Sequence, residues 1–416
     1  MNDSLPKWLQ VSLFNLLLVS GIGVILRYKI AFSLPWIDQQ FLLHGHSHFA
    51  FTGWVSQVLM CLLVQFLTEN GLPVAFQKYR WLLYGNLFTG YGMLVSFPLE
   101  GYALFSIIFS TASIFVSYVF AWVYIKDLKR LPVQQSISSW FVSALLFNVL
   151  SSLGAFALAF MLASGRGNEH LYLGAVYFFL HFQYNGWFFF ACMGLFSYQL
   201  IKAGGSDQQI KKVFRLFLLA CVPAYGLSVL WLSIPGWIYG LVVAAVFMQL
   251  YGWMKLLLTA GPYIPAFRKV ISQNTWYLFV LVALALSIKL VLQALSVIPS
   301  LNKLAFGFRP VVIGYLHLVL LGVISLFILA YIFSRKYLAL TRTGVYGLAV
   351  FVTGIILNEI FLMGEGTGDL FNRPLSHTPL LLLGAAVILF SGLLIINLSL
   401  YRAGYASAHK LISADE

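Results

Sequence analysis

Residues 44–67 read HGHSHFAFTGWVSQVLMCLLVQFL. His44, His46 and His48 stand at alternate positions and open an unbroken apolar run. About 20 apolar residues suffice to cross the hydrocarbon core of a bilayer, and this run is that long. Ionisable side chains at the head of such a segment are costly in lipid and tend to be there for function. The rest of the chain decides whether the segment belongs in a membrane.

It does. Of 416 residues, 61% are hydrophobic and 9% charged, with a mean hydropathy of +0.90. An ordinary soluble domain carries about 25% charged residues. The composition specifies an all-α polytopic membrane protein, with the lipid bilayer as its first partner. The net charge of +13 lies mostly in short breaks between apolar runs. Such a pattern sets topology and does not mark a nucleic-acid surface. Cys61, Cys192 and Cys221 sit inside apolar runs without CxxC spacing, so they read as packing residues. The N-terminal apolar run has no small-residue cleavage site and reads as a retained helix.

Apolar runs between charged or turn-rich breaks predict helices over 8–28, 41–67, 80–97, 101–125, 138–163, 171–201, 212–231, 235–258, 274–297, 310–334, 344–363 and 378–401. With twelve crossings both termini share one side. The lysines and arginines of the breaks after helices two, four, six, eight and ten fall on that side. Only Arg27, Lys29, Arg166, Lys303, Arg309 and Arg373 fall on the other. Positive charge accumulates in the cytoplasm. Both termini are therefore expected there, in a bacterial inner membrane.

The histidine motif recurs. HFAFTGW begins at His48, HFQYNGW at His181 and HLVLLGV at His317, each with glycine five residues on. These are predicted helices two, six and ten. The chain reads as one membrane domain of three four-helix units, roughly 1–130, 131–270 and 271–416. Each histidine lies in the outer part of its helix. A lone membrane histidine can simply bond a neighbouring helix, and a glycine can simply pack. Three at one period point to a shared ligand role. Two facing histidines can hold a haem iron in an aromatic-rich bundle, and without a CxxCH covalent c-type attachment is not indicated.

This pattern resembles the catalytic subunit of haem–copper oxidases and nitric oxide reductases, in architecture over nearly the whole chain and in motif over short patches. HSHFAFTGW is also similar to the start of NnrS-type haem- and copper-containing membrane proteins. The resemblance implies a low-spin haem with His48 and His317 as axial ligands. On helix two the ligand could instead be His46 or His44; on a regular helix His44 and His48 share a face and His46 points away. The resemblance places His181 at an active-site metal. It also implies a redox partner protein or other oxidase-like subunits, and electron transfer as the activity. The chain departs from the family in two places. Helices seven and eight carry no His-His pair, so a three-imidazole copper site cannot be assembled, though copper at the remaining histidines stays open. The usual high-spin haem ligand position holds Tyr315. The alternative is a non-catalytic haem- or copper-handling protein, or a nitric-oxide-responsive one of the NnrS type.

Among other polar residues, Arg373 and Arg309 suit haem propionates, since a guanidinium fork matches a carboxylate. Glu359, Glu365, Asp369 and His377 are expected in an outer loop, where His377 with Glu365 or Asp369 could form a small metal site. Lys289 is expected to snorkel outward. Asn148 and Gln183 are expected to bond between helices.

Overall fold

A computed structural model describes residues 5–301, 309–370 and 376–412, the side chains of 369, 370 and 403–412 excepted. It is helical throughout, with no strand among the described residues. In chain order the long helices are α1 (Leu5–Ala31), α2 (Gln39–Glu69), α3 (Ala75–Glu100), α4 (Leu104–Leu128), α5 (Gln135–Ser164), α6 (169–202), α7 (207–229), α8 (Gly236–Val270), α9 (Gln273–Ser296), α10 (Arg309–Ser334), α11 (Arg342–Leu370) and α12 (Thr378–Ile412). Each predicted apolar segment falls on one of them.

Nine of the helices among the described residues are long and apolar enough to cross a membrane, and the bent pair forming α7 makes up to ten. The chain is thus a polytopic helical membrane protein. The two predicted crossings outside that number are α3, which opens on Lys78 and Arg80, and α6, whose middle carries His181, Gln183 and Asn185. Both are diluted by polar residues, not shortened.

Local chemistry starts the histidine-bearing helices where they start. Asp38 caps α2, its carboxylate accepting from the backbone N–H of Gln40 and Phe41 at 2.8 Å. Asn168 caps α6 by accepting from Leu171 at 2.9 Å. Each cap satisfies backbone donors that have no intrahelical partner.

The chain divides into two compact units. The first comprises residues 1–68, 73–116 and 331–416 and the second 69–72 and 117–330. In the first, α2 packs on α3 and α1, while α12 packs on α1 and α11. The α11–α12 pair meets through glycines: a Cβ built on Gly392 would lie 2.3 Å from the Phe351 nitrogen, and one on Gly354 2.6 Å from that of Leu389. Small residues let membrane helices approach closely enough for backbone contact. In the second unit α6 packs on α5, α8 on α7, and α9 on α8 and α10.

Candidate functional site

Each of the three repeated histidines stands at the entrance to a π-helical turn. His48 is followed by Ala50–Ser56, His181 by Phe182–Phe188 and His317 by Leu318–Ser325. A π turn inserts one residue into the helix, so it shifts backbone hydrogen bonding and re-aims the side chains on either flank. π turns are rare and concentrate at functional sites. Three of them directly after three motif histidines cannot be ascribed to incidental distortion. Two of these helices are also the most interior of the apolar nine. α2 and α10 are each 78% buried over their apolar window, against 17–50% for the others.

The polar residues around the first π turn service it. Asn15 of α1 donates to the Gly53 carbonyl at 2.6 Å, and Asn86 of α3 donates to the Thr52 carbonyl at 3.1 Å and to Gln57 Oε1 at 2.8 Å. Tyr91 in turn donates to Asn15 Oδ1 at 2.7 Å. In lipid, backbone carbonyls displaced from a regular ladder must find such donors inside the protein. Around the second π turn, Gln183 donates to Asn148 Oδ1 and Ser151 Oγ, both at 2.8 Å. This is the interhelical bond expected of Asn148 and Gln183.

The geometry separates the histidines of α2. His48 stacks on Phe97, ring centroids 4.3 Å apart and 12° from parallel, and its Nε2 lies 3.1 Å from Tyr102 Oη. His44 shares that face, 4.7 Å from the Tyr102 ring and 6.1 Å from that of Phe97. His46 points the other way, with Nδ1 3.1 Å from the Val19 carbonyl of α1. The face-sharing expected of a regular helix therefore holds up to the π turn. Gly101, at φ +63°, lets the chain turn into this corner, where a Cβ would strike the Phe41 ring at 2.4 Å.

His317, in the second unit, donates from Nδ1 to the Ile313 carbonyl one turn earlier, at 2.8 Å. That bond selects the tautomer with its lone pair on Nε2, which is how ligand histidines are commonly oriented. Tyr315 lies against Tyr184, ring centroids 6.4 Å apart.

His181 is 1% exposed, and both ring nitrogens are committed to protein partners. Nε2–H donates to the Cys221 carbonyl at 2.8 Å, and Nδ1 accepts from Asn185 Nδ2 at 3.1 Å. The reason lies in α7, which ends its α-helical run at Cys221, turns by 43°, and continues as a tight 3-10 segment from Pro223 to Val229. Pro223 has no N–H, and Tyr225 N–H bonds Val222 instead. His181 captures the carbonyl the break leaves over. His181 thus has a structural role here, tying the break in α7 to Asn185.

One further expectation needs correcting. Lys289 does not snorkel: it is 5% exposed, with Nζ 5.8 Å from the Phe189 ring centroid. The motif glycines are closely packed. A Cβ on Gly53 would meet the Phe49 ring at 2.4 Å, on Gly186 the Phe147 Cβ at 2.6 Å, and on Gly322 the Ala285 Cβ at 3.3 Å. They are packing positions.

The outer loop is shorter than expected, because α11 runs on to Leu370 and carries Glu359 and Glu365 as helical residues. His377 is exposed before α12, where its carbonyl accepts from Leu380 and Leu381. Arg309 opens α10 and is exposed. Arg373 lies outside the described residues. Among the described residues no three His, Cys, Asp or Glu side chains converge as a metal site. His44, His48 and His317 stay the candidate ligands.

The sequence did not point to Phe97 and Tyr102 as the clasp around His44 and His48, because nothing in a lone aromatic at a helix end distinguishes clasp from lipid contact. The three cysteines are buried and free of disulfides. Compared with models of known families and with curated proteins, the chain matches none.

Proposed function

We propose that this is a haem-binding integral membrane protein serving electron transfer, with His48 and His317 as the axial-ligand histidines. It would cross a bacterial inner membrane twelve times, in three units of four helices, with both termini in the cytoplasm. A redox partner protein would exchange electrons with it. A bound haem supplies a one-electron carrier; the chain's own residues supply ligation and orientation. The observation that carries the reading is the pairing of a histidine with a π turn in α2 and in α10, the two most buried of the apolar helices. The Nδ1 bond of His317 to its own helix supports it further. Copper is left out, since His181 is engaged on both nitrogens.

The test is optical. The purified protein should contain iron and give a reduced-minus-oxidised spectrum of a low-spin, bis-histidine haem. His317→Ala and His48→Ala should each abolish that signal or convert it to a five-coordinate one. If His46→Ala acts and His48→Ala does not, the ligand on α2 is reassigned. A haem-free protein, or a spectrum indifferent to every histidine substitution, would sink the proposal.

A further inference from the structure

Within the second unit, α6 to α9 enclose a small, mainly apolar cavity with three polar side chains in its wall, which the haem reading does not use. Asn185, Gln249 and Lys289 line it, with Cys221 and the rings of Phe189 and Phe217. It leaves about 10 Å³ for the centre of a water-sized sphere, which is close to the room one water needs. Asn185, Gln249 and Lys289 are each 5% exposed.

Two acceptors in this lining lack hydrogen-bond partners, Asn185 Oδ1 and Gln249 Oε1. Buried oxygens are almost always satisfied by protein or by ordered water. The orientation of Asn185 is not arbitrary. Its amide NH2 faces His181 Nδ1, which must accept because Nε2–H is given to Cys221. Asn185 Oδ1 is therefore held as an acceptor. Lys289 brings an ammonium, with donors only, and no carboxylate lines the cavity with it.

The missing partner has a definite chemistry. It must accept from an ammonium, donate to two amide oxygens, and be the size of one oxygen atom. An anion meets the first condition and fails the second. We infer that the cavity binds a single water molecule, held by Lys289 Nζ, Asn185 Oδ1 and Gln249 Oε1. This water makes the joint between α6, the break in α7, α8 and α9 a hydrated station inside the membrane. The groups facing Lys289 are Asn185, with His181 behind it, from α6, Cys221 from α7 and Gln249 from α8. The motif glycine of α10 packs on α9 at Ala285, one turn away.

Radiolytic footprinting tests this directly, because hydroxyl radicals made from a bound water oxidise the side chains that touch it even when these are buried. In the full-length protein in detergent, Phe189 and Phe217 should oxidise several-fold faster than Phe141, which is buried in the same unit and does not line the cavity. Lys289→Leu should bring the rates of the two phenylalanines down to that of Phe141. Gln249→Leu, which removes one acceptor and keeps the lysine, should lower them as well and covers the case in which the lysine variant fails to fold. Phenylalanines 189 and 217 labelling no faster than Phe141 in the unmodified protein would overturn the inference, as would labelling unchanged in both variants.

Discussion

At the scale of the residue, one side-chain type does different work at its repeats. His317 is tied to its own helix through Nδ1, His48 rests on Phe97 beside Tyr102, and His181 joins a broken helix to Asn185. Their common spacing was legible in the sequence, but their division of labour was not. It depends on Cys221 and Asn185, and neither is marked in the sequence as a partner. Lys289 shows the same limit. Its position in the outer part of an apolar run argues for snorkelling, and its burial beside Asn185 and Gln249 depends on where other helices come to lie. The structural role of His181 has a measurable consequence. His181→Ala removes a donor from the Cys221 carbonyl and an acceptor from the Asn185 amide. Stranding buried polar groups costs about 1–3 kcal/mol, and somewhat less where unfolding occurs within the bilayer. The variant should show a lower thermal midpoint in detergent while any haem spectrum keeps its shape. A changed spectrum with unchanged stability would return His181 to the ligand set.

At the scale of the element, hydropathy located every long helix and missed every irregularity within one. A π turn adds a single residue, too little to disturb an apolar run read over some 20 positions. The carbonyls it displaces are satisfied by Asn15 and Asn86, which the sequence shows only as isolated polar residues. The break in α7 was more legible, since Pro223 and Gly226 stand inside its apolar run. Glycine content was visible too, but its purpose was not. The same residue type is a close contact at Gly392 and idle at Gly240. Gly392→Ala should be destabilising by about 1–3 kcal/mol, the usual cost of overpacking, because its Cβ would meet the Phe351 backbone at 2.3 Å. Gly240→Ala, with nothing within 4 Å, should be neutral or slightly stabilising through helix propensity. Thermal unfolding of the two variants side by side separates the cases. Equal midpoints would mean that α11 and α12 do not pack through their glycines.

At the scale of the whole molecule, charge and not hydropathy determines the fate of the two ambiguous helices. Neither α3 nor α6 is apolar enough to declare itself a crossing, yet the count of crossings fixes the side on which every later loop emerges. If α3 crosses, Lys78 and Arg80 at its start share a side with Lys126, Lys129 and Arg130 after α4. If α6 crosses, Lys202, Lys211 and Lys212 join them, and Arg166 stands opposite. Removing α6 alone would place Arg166 on the same side as those lysines and send all later basic loops outward, against the positive-inside bias. Both helices are accordingly expected to span. Their polar residues are offset by internal partners: Asn86 by Gln57 and the Thr52 carbonyl, Gln183 by Asn148 and Ser151, and Asn185 by His181. Reporter tags at the N-terminus, within 203–210 and at the C-terminus should all be cytoplasmic, and one within 165–168 should be periplasmic. A periplasmic C-terminus with a cytoplasmic N-terminus would mean that an odd number of helices cross and would remove α3, α6 or the bent α7 from the set of crossings.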